Sequence, residues 1–466
     1  MKNSRIYKIV LVPAVLMSLQ SCFVAKDYQR PEVVETESYR TDLLQEGNSS
    51  MADVSWRELF TDPLLTSYIE EALENNIDIR VALQQIEAAE AYVKQGKAAY
   101  FPTLNANAQV THQELSRNSQ FAALTGGSID QFDLSANLSW EADIWGKIRS
   151  NDRAFQASYL QSVAAHQAVK TDLIADVASL YFQLLALDEQ KRITLQTIEN
   201  RENSLETTRA LKEAGNLTEV GVKQTEAQLY RARAVLVDIE NNIRLLENAM
   251  SILLGEAPHN IERTSLAVQD MNTDLNAGVP AQLLRNRPDV IAAEYNLINA
   301  FQLTNVARSE FYPSLRLSAS GGFQALQLED WINANSLFAN VVGSLAQPIF
   351  NRRQIRTQYE VAEAQEEIAF LNFRRSLLIA AREVSDALYS HEAAVETIEL
   401  KTKEFETYDL ATSYSEELLN NGMANYLEVL TARENALNSR LELINAELNR
   451  LYSIVDLYQA LGGGWE

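Results

Sequence analysis

Cysteine is almost absent from this 466-residue chain, in which Cys22 is the only one. A single cysteine excludes an internal disulfide and any site that needs a cysteine pair. Glycine and proline are also scarce, with 16 and 9 residues, so few positions can break a helix. The composition therefore favours long helices.

Positive charge is in deficit, because 40 Lys and Arg residues face 63 Asp and Glu residues, for a net charge of −23. This balance argues against a nucleic-acid partner. No apolar run after the first 21 residues is long enough for a transmembrane helix. The four histidines stand far apart, and the chain has no His-x-x-x-His motif or glycine-rich phosphate loop. We therefore expect no enzyme activity, no cofactor and no metal site.

The N-terminus resembles a secretory signal. Lys2, Arg5 and Lys8 precede a short apolar core at residues 9–19, which is too short to span a bilayer. Leu19-Gln20-Ser21-Cys22 then resembles a bacterial lipobox, so we predict cleavage after residue 21 and a diacylglycerol on Cys22. The mature chain would carry a net charge of −26. The alternative is an ordinary signal peptide with an incidental cysteine.

The sequence contains the same pattern twice. Tyr-Phe-Pro-Thr-Leu at residues 100–104 is matched by Phe-Tyr-Pro-Ser-Leu at residues 311–315. In each copy strand-like runs follow, then a long helical pattern interrupted once, by Gly215 or by Gly422, and ended by Leu-Gly. Spacings near 205–211 residues indicate two internal structural repeats, each half of the molecule, rather than a short solenoid unit.

The helical runs have apolar residues at alternating steps of three and four, which predicts helices packed as coiled coils. One such seam is Leu229, Ala232, Leu236, Ile239, Ile243, Leu246, Met250 and Leu253. Residues of about 150–213 and 354–421 contain no Gly or Pro. As single helices they would each be about 95 Å long or more at 1.5 Å per residue.

Four runs of about 9–11 residues alternate between apolar and polar side chains, the last of them, at residues 338–347, weakly. This is the pattern of outer-membrane strands that face lipid on one side and water on the other, although a soluble hairpin would show it too. Aromatic residues flank the runs and are candidates for a membrane-interface girdle: Tyr100, Phe101, Trp140, Trp145, Phe311, Tyr312 and Phe350.

Four strands cannot close a membrane barrel, and open strand edges are not tolerated in lipid. The chain must therefore oligomerise if its strands lie in the membrane. Two copies would give eight strands and three would give twelve. The continuous polar face suggests a water-filled lumen, which favours three copies.

Taken in order, the motifs of this chain resemble TolC-like outer-membrane efflux proteins, and in particular their lipoprotein branch (NodT type), which serves resistance-nodulation-division pumps. The resemblance covers nearly the whole mature chain and rests on these segments: Asp27-Tyr28-Gln29-Arg30-Pro31, Asp62-Pro63-Leu64-Leu65, Ala99-Tyr100-Phe101-Pro102, Asp143-Ile144-Trp145-Gly146, Arg287-Pro288-Asp289-Val290, Phe311-Tyr312-Pro313 and Gln347-Pro348-Ile349-Phe350.

The resemblance implies a mixed α/β membrane protein: a homotrimeric 12-stranded β-barrel, with four strands per chain, continued by a long α-helical coiled-coil tunnel in the periplasm. It implies an outer-membrane lipoprotein that exports small molecules or metal ions passively, as in multidrug resistance. Its partners would be a periplasmic adaptor, an inner-membrane pump and outer-membrane lipid. The alternatives are a type I protein-secretion channel and a peripheral lipoprotein without a pore.

The resemblance also assigns adaptor docking and closure to the two hairpin turns. The docking candidates are Gly215, Asn216, Leu217, Gly422, Met423 and Ala424, of which Leu217, Met423 and Ala424 are expected to be exposed. Some relatives have an acidic residue where this chain has Ala424, so the gate candidates become Glu416, Glu417 and Met423. Another departure is Asn351-Arg352-Arg353, where relatives often have a glycine turn.

These assignments divide the chain into five segments. Residues 1–21 form the signal peptide and 22–55 the lipidated segment. Residues 56–260 form the first repeat, with strands at about 103–142 and a turn near 215. A connecting segment at 261–280 leads to the second repeat at 281–466, with strands at about 314–348 and a turn near 422.

Overall fold

The computed structural model describes residues 24–31, 51, 54–116, 118, 120, 122, 127–269, 271 and 286–465. The proposed signal peptide and Cys22 lie outside the described residues. The described part of the chain contains eight α-helices and four strands. Their order is α1 Trp56–Leu59, α2 Pro63–Asn75, α3 Ile77–Ala98, β1 Thr103–Glu114, β2 Ser128–Ala142, α4 Lys147–Glu213, α5 Glu219–Leu253, α6 Pro288–Ser309, β3 Ser314–Ala325, β4 Leu337–Ala346, α7 Gln354–Asn420 and α8 Tyr426–Ala460.

The helices confirm the predicted long runs. Both α4 and α7 contain 67 residues, so each is about 100 Å long at 1.5 Å per residue. Both α5 and α8 contain 35 residues, and both α3 and α6 contain 22. Among the described residues, no helix is apolar enough over a sufficient length to cross a membrane.

The apolar seam of α5 faces the interior, as its spacing predicts. Leu229, Ala232, Ile239, Ile243 and Met250 are buried, and the other seam residues are half-buried. The residues between them are mostly exposed. The stripe therefore packs against neighbouring helices, and its burial rather than helix propensity supports a helix of this length.

The chain forms two compact units. The strand unit contains residues 24–31, 86–161 and 294–372, and the hairpin unit contains the other described residues. In the strand unit, all four strands form one antiparallel sheet in the order β1-β2-β3-β4. The fourth run, weak in sequence, is therefore a strand, and β1 and β4 are the edges of the sheet.

The hairpin unit has an aromatic core around Phe60. The rings of Phe182 and Tyr458 lie 6.3 and 6.4 Å from the Phe60 ring, centroid to centroid. Trp56 and Tyr181 are also almost completely buried. Because these residues come from α1 and its C-cap, α4 and α8, this core joins the first and the last of these helices to α4.

Candidate functional site

The sheet separates apolar from polar side chains across all four strands. Strand register places Leu104, Leu138, Ala319 and Val341 side by side in one row. The adjacent row, on the other face, is Asn105, Asn137, Ser320 and Asn340. Since successive residues of a strand point to opposite faces, one face of the sheet is mainly apolar and the other mainly polar.

The apolar face is not covered within the strand unit. Leu104, Val110, Leu337, Val341 and Leu345 are all exposed. A contiguous apolar surface of this kind marks contact with lipid or with another protein chain. The polar face, in contrast, presents amides and hydroxyls that remain hydrated in water. The sheet can therefore separate water from an apolar medium.

The candidate interface aromatics fall at the ends of the strands. The Trp140 indole donates to the Tyr100 carbonyl at 2.9 Å, and the Trp145 indole donates to the Pro313 carbonyl at 2.7 Å. The Trp145 ring packs on Tyr312 with a centroid distance of 5.0 Å. The remaining candidates differ, since Phe311 meets Tyr359 edge-on, whereas Phe101 and Phe350 are exposed.

The two strand-to-helix turns use different residues for the same backbone conformation. Before α4, Gly146 has φ +79°, which glycine adopts without a steric cost. Before α7, Arg352 and Arg353 have φ +54° and +68°, a region that costs a side-chain-bearing residue roughly 1–2 kcal/mol. Arg353 and Arg356 both pair with Glu360, which holds the strained turn against the first turns of α7.

The N-terminal segment nearest to Cys22 is bound along α6. The Lys26 backbone and the Asn305 side chain exchange hydrogen bonds of 3.1 and 2.9 Å. Arg30 forms a bidentate ion pair with Glu294, and Tyr28 packs edge-on against Phe301. Residues 26–30 are therefore fixed to the strand unit by side chains from three turns of one helix.

The two hairpin ends have the same helix-terminating geometry. At the first, Asn216 N–H donates to Leu211 O and Gly215 N–H donates to Lys212 O. At the second, Met423 N–H donates to Leu418 O and Gly422 N–H donates to Leu419 O. This is a Schellman motif. Gly215 and Gly422 have φ +80° and +72°, which explains why glycine stands at both positions.

The expected exposure of Leu217 is wrong. Leu217 packs against the buried cluster of Leu205, Val222 and Leu229. It immediately precedes the N-cap Thr218 of α5 and contacts the helix four positions after that cap, as a hydrophobic staple does. Ala424 is half-buried as well. Met423 is exposed as expected, and Val220 and Leu427 are further exposed apolar side chains beside the two turns.

The gate candidate Glu416 is held by an arginine. Arg433 of α8 places Nε and Nη2 at 2.8 and 2.7 Å from Glu416 Oε1, and its Nη1 donates to Ser204 Oγ at 2.5 Å. One guanidinium thereby joins α7, α8 and α4. Glu417 has no such side-chain contact, and its backbone carbonyl accepts from Asn421 at 2.8 Å.

A second arginine link was not found from the sequence. Arg201 of α4 is buried and donates to Glu434 Oε2 at 2.7 Å and to Gln228 O at 2.5 Å. Arg231 of α5 also pairs with Glu434, at 2.9 Å. These partners lie 27 to 233 residues apart, so no short sequence motif relates them. Glu434 is one of several charged residues of α8, so its residue type alone did not set it apart.

These links border a cleft of about 1350 Å³ near the hairpin ends. Its walls come from α4, α7 and α8, and they include Arg201, Glu416 and Arg433 together with the turn residues Asn216 and Ala424. Within the described residues, no three His, Cys, Asp or Glu side chains lie close enough to hold a metal ion. The cleft therefore has a mixed polar and apolar surface, and its described residues offer no ligand set for a metal.

The chain matches a known family twice. The family described as "Outer membrane efflux protein" matches residues 68–256 and again residues 279–463. The solvent efflux pump outer membrane protein SrpC of Pseudomonas putida is 30% identical over 458 residues, which cover 97% of each chain. The probable outer membrane lipoprotein SilC of Salmonella typhimurium is 26% identical over 466 residues, 97% of this chain and 98% of that one.

The cation efflux protein CusC of Escherichia coli gives both a sequence and a structural comparison. Its sequence is 27% identical over 459 residues, with 97% and 98% of the two chains covered. A solved structure of CusC superposes with a TM-score of 0.84 at 26% identity and covers 95% of this chain and 100% of that chain. The similarity thus extends over the whole architecture described above.

Proposed function

Because this chain belongs to the outer membrane efflux protein family, we propose that it is the outer-membrane channel of a tripartite efflux system. It acts as a passive conduit, so that an inner-membrane pump and a periplasmic adaptor supply substrate and energy. The observation that carries this proposal is the sheet with one apolar and one polar face, joined in sequence to helices of 67 residues. A conduit wall in a membrane needs both faces.

Three copies would form the complete channel. β1 and β4 each have one unpaired edge in the single chain, and an unpaired edge in lipid costs several kcal/mol per backbone group. Pairing β4 of one copy with β1 of the next removes every edge and gives a 12-stranded barrel. The 67-residue helices of three copies would then form the periplasmic tunnel, with each half of the chain acting as one repeat.

The hairpin ends are the proposed site of adaptor docking and closure. Exposed Val220 and Met423 supply the apolar contacts for an adaptor. Arg433 with Glu416 and Arg201 with Glu434 link the helices beside the turns. Opening would have to break or rearrange such links, since the bonds of Arg433 to Ser204 and of Arg201 to Glu434 join the first hairpin to the second. Glu416, Glu417 and Met423 remain the candidates for the narrowest point.

Lipidation of Cys22 would anchor the chain beside its strand unit. SilC, a relative of similar length, is named as a probable lipoprotein. The bound segment at residues 26–30 begins only four residues after Cys22, and an extended chain spans at most about 3.3–3.6 Å per residue. The acyl chains would thus enter the membrane within about 15 Å of Lys26.

The substrate class is small molecules or metal ions. SrpC is named for solvents and CusC for cations, and the pump rather than the channel selects among them. No catalytic step is proposed for this chain, in keeping with a family of channel proteins.

Deletion and complementation test the conduit. Cells that lack this chain should accumulate organic solvents or metal cations that the parent strain exports, and the full-length chain should restore export. The purified protein should also conduct ions across a planar lipid bilayer. Unchanged accumulation together with the absence of conductance would reject the proposal.

A further inference from the structure

Two apolar side chains after β4 and one before β1 have almost no cover. Ile349 is 92% exposed, Phe350 is 89% exposed and Phe101 is 72% exposed. The corresponding aromatics at the β2–β3 junction are packed, since Trp145 is half-buried and Tyr312 is only 38% exposed. Both junctions therefore carry aromatic side chains, but only those at the β2–β3 junction are covered within one chain.

Chain positions relate the two junctions. Strands β1 and β3 both have 12 residues and begin 211 residues apart, at Thr103 and Ser314. The same offset relates Tyr100-Phe101-Pro102 to Phe311-Tyr312-Pro313. After the following strands, an offset of 205 residues relates Ile144-Trp145 to Ile349-Phe350. Phe350 thus occupies the place of Trp145, and Phe101 that of Tyr312.

Within one chain, the first junction is complete. Trp145 follows β2, and its ring packs at 5.0 Å, tilted by 31°, on that of Tyr312, which precedes the adjacent strand β3. Its indole N–H also donates to the Pro313 carbonyl at 2.7 Å. Phe350 follows β4 and lacks such a neighbour, because β1, the strand that Phe101 precedes, lies at the opposite edge of the sheet.

We propose that Phe350 of one copy of this chain packs on Phe101 of the next copy, in the arrangement of Trp145 on Tyr312. The inference rests on the proposed oligomer and adds the residues that join its subunits beside the strands. The second copy fits better than lipid, because the first junction shows the same two positions in direct contact. Since the phenylalanine side chain has no N–H group, the Pro102 carbonyl of the next copy receives no hydrogen bond equivalent to the one that Trp145 donates to Pro313.

Cysteine cross-linking tests the contact in the full-length protein in outer membranes. The variant Phe350→Cys with Phe101→Cys, treated with a short bismaleimide, should give covalent dimers and trimers on denaturing gels. The matched control is Trp145→Cys with Tyr312→Cys, which should cross-link within one chain and run at monomer mass. Each single variant, and the wild type with Cys22 alone, should give no covalent oligomer.

The outcomes separate this contact from the assembly on which it rests. A trimer seen in mild detergent without covalent oligomers in the double variant would refute the contact and leave the channel intact. Absence of any oligomer in the wild type would reject the proposed assembly, and the contact with it.

Replacement by tryptophan provides a second test that does not depend on cross-linking. Phe350→Trp should restore the indole donor opposite the Pro102 carbonyl and raise the temperature at which the oligomer dissociates in dodecyl sulfate. Phe350→Ala should lower that temperature. If both variants dissociate at the wild-type temperature, the side chain does not lie at a subunit boundary.

Discussion

Asp62 is a buried carboxylate whose two oxygens both accept hydrogen bonds from neighbouring donors. It is 7% exposed and accepts hydrogen bonds from Tyr181 Oη at 2.9 Å, Thr264 Oγ1 at 2.5 Å and Gln269 Nε2 at 2.6 Å. The Leu64 N–H donates to its other oxygen. Burial by itself raises the pKa of Asp62, but these four bonds together lower it below its ordinary value. The ionised group therefore ties residues 264–269 to α2 and α4.

Asp62→Asn should lower the free energy of unfolding by about 2–3 kcal/mol, because an amide cannot accept from all of these donors and a buried donor is left unpaired. Denaturation of the purified protein in detergent, monitored by circular dichroism, measures the change. Asp238→Asn, at an exposed position of α5, is the matched control and should leave stability unaltered.

The same carboxylate predicts how that difference depends on pH. A lowered folded-state pKa contributes stability above the ordinary value of 3.8, and this contribution is lost as the pH falls through the folded-state pKa. The gap in stability between wild type and Asp62→Asn should thus be full at pH 7 and shrink below pH 4. A gap that is the same at pH 3.5 and pH 7 would mean that the charge of Asp62 is not what stabilises.

Sequence could place Asp62 in a motif but could not identify its role. Asp62 opens the segment Asp62-Pro63-Leu64-Leu65 on which the family resemblance rests, and in the structure it caps α2. Its remaining donors lie 119 to 207 residues away, so only the folded chain brings them together. Arg433 is similar, since Ser204 precedes it by 229 residues. Local roles were readable, and long-range polar contacts were not.

Among the elements, the long helices and their turns were the most predictable from sequence. A stretch without glycine or proline defines α4 and α7, and a glycine in the left-handed conformation ends each. Leu217 shows where this reasoning failed. Position next to a turn suggested exposure, whereas the direction of the side chain depends on how the chain enters α5, which sequence alone did not fix.

The staple formed by Leu217 makes a prediction for the first hairpin. Leu217→Ala should destabilise the hairpin end by about 1–2 kcal/mol, since it removes part of a partly buried apolar side chain. Hydrogen exchange of residues 198–229 should become faster. Val220→Ala is the control, because that side chain is exposed and its loss should leave exchange unaltered. Equal effects in both variants would argue against the staple.

At the scale of the whole molecule, the corresponding helices of the two halves have equal lengths, as two repeats would. The contacts that the outer strands need, however, are not present within one chain. Alternating residues predicted the strands, and register aligned them into two faces. Sequence could not assign partners to the outer strands or to Phe350, because those contacts are absent from a single copy. The expectation of three copies rests on the polar face of the strands and on the family resemblance.

Anchoring and assembly should be separable in the complete protein. Cys22→Ser should abolish metabolic labelling with palmitate, since it removes the proposed acylation site. The heat-modifiable trimer band expected in outer-membrane fractions should persist, because in the proposed assembly strand pairing rather than lipid holds the copies together. Retained labelling would contradict the lipobox, and loss of the trimer would show that acylation is needed for assembly.

The equal lengths of α4 and α7, and of α5 and α8, restrict how such a protein changes size. One inserted residue rotates every later position by about 100° and takes the apolar seam off its partner. Seven residues nearly restore it. The length of the helical hairpins can therefore change only in steps of about 10 Å. Each step needs the same insertion in both helices of both hairpins. The length of such a channel is therefore set in whole heptads, and a partner that binds its far end must match that length.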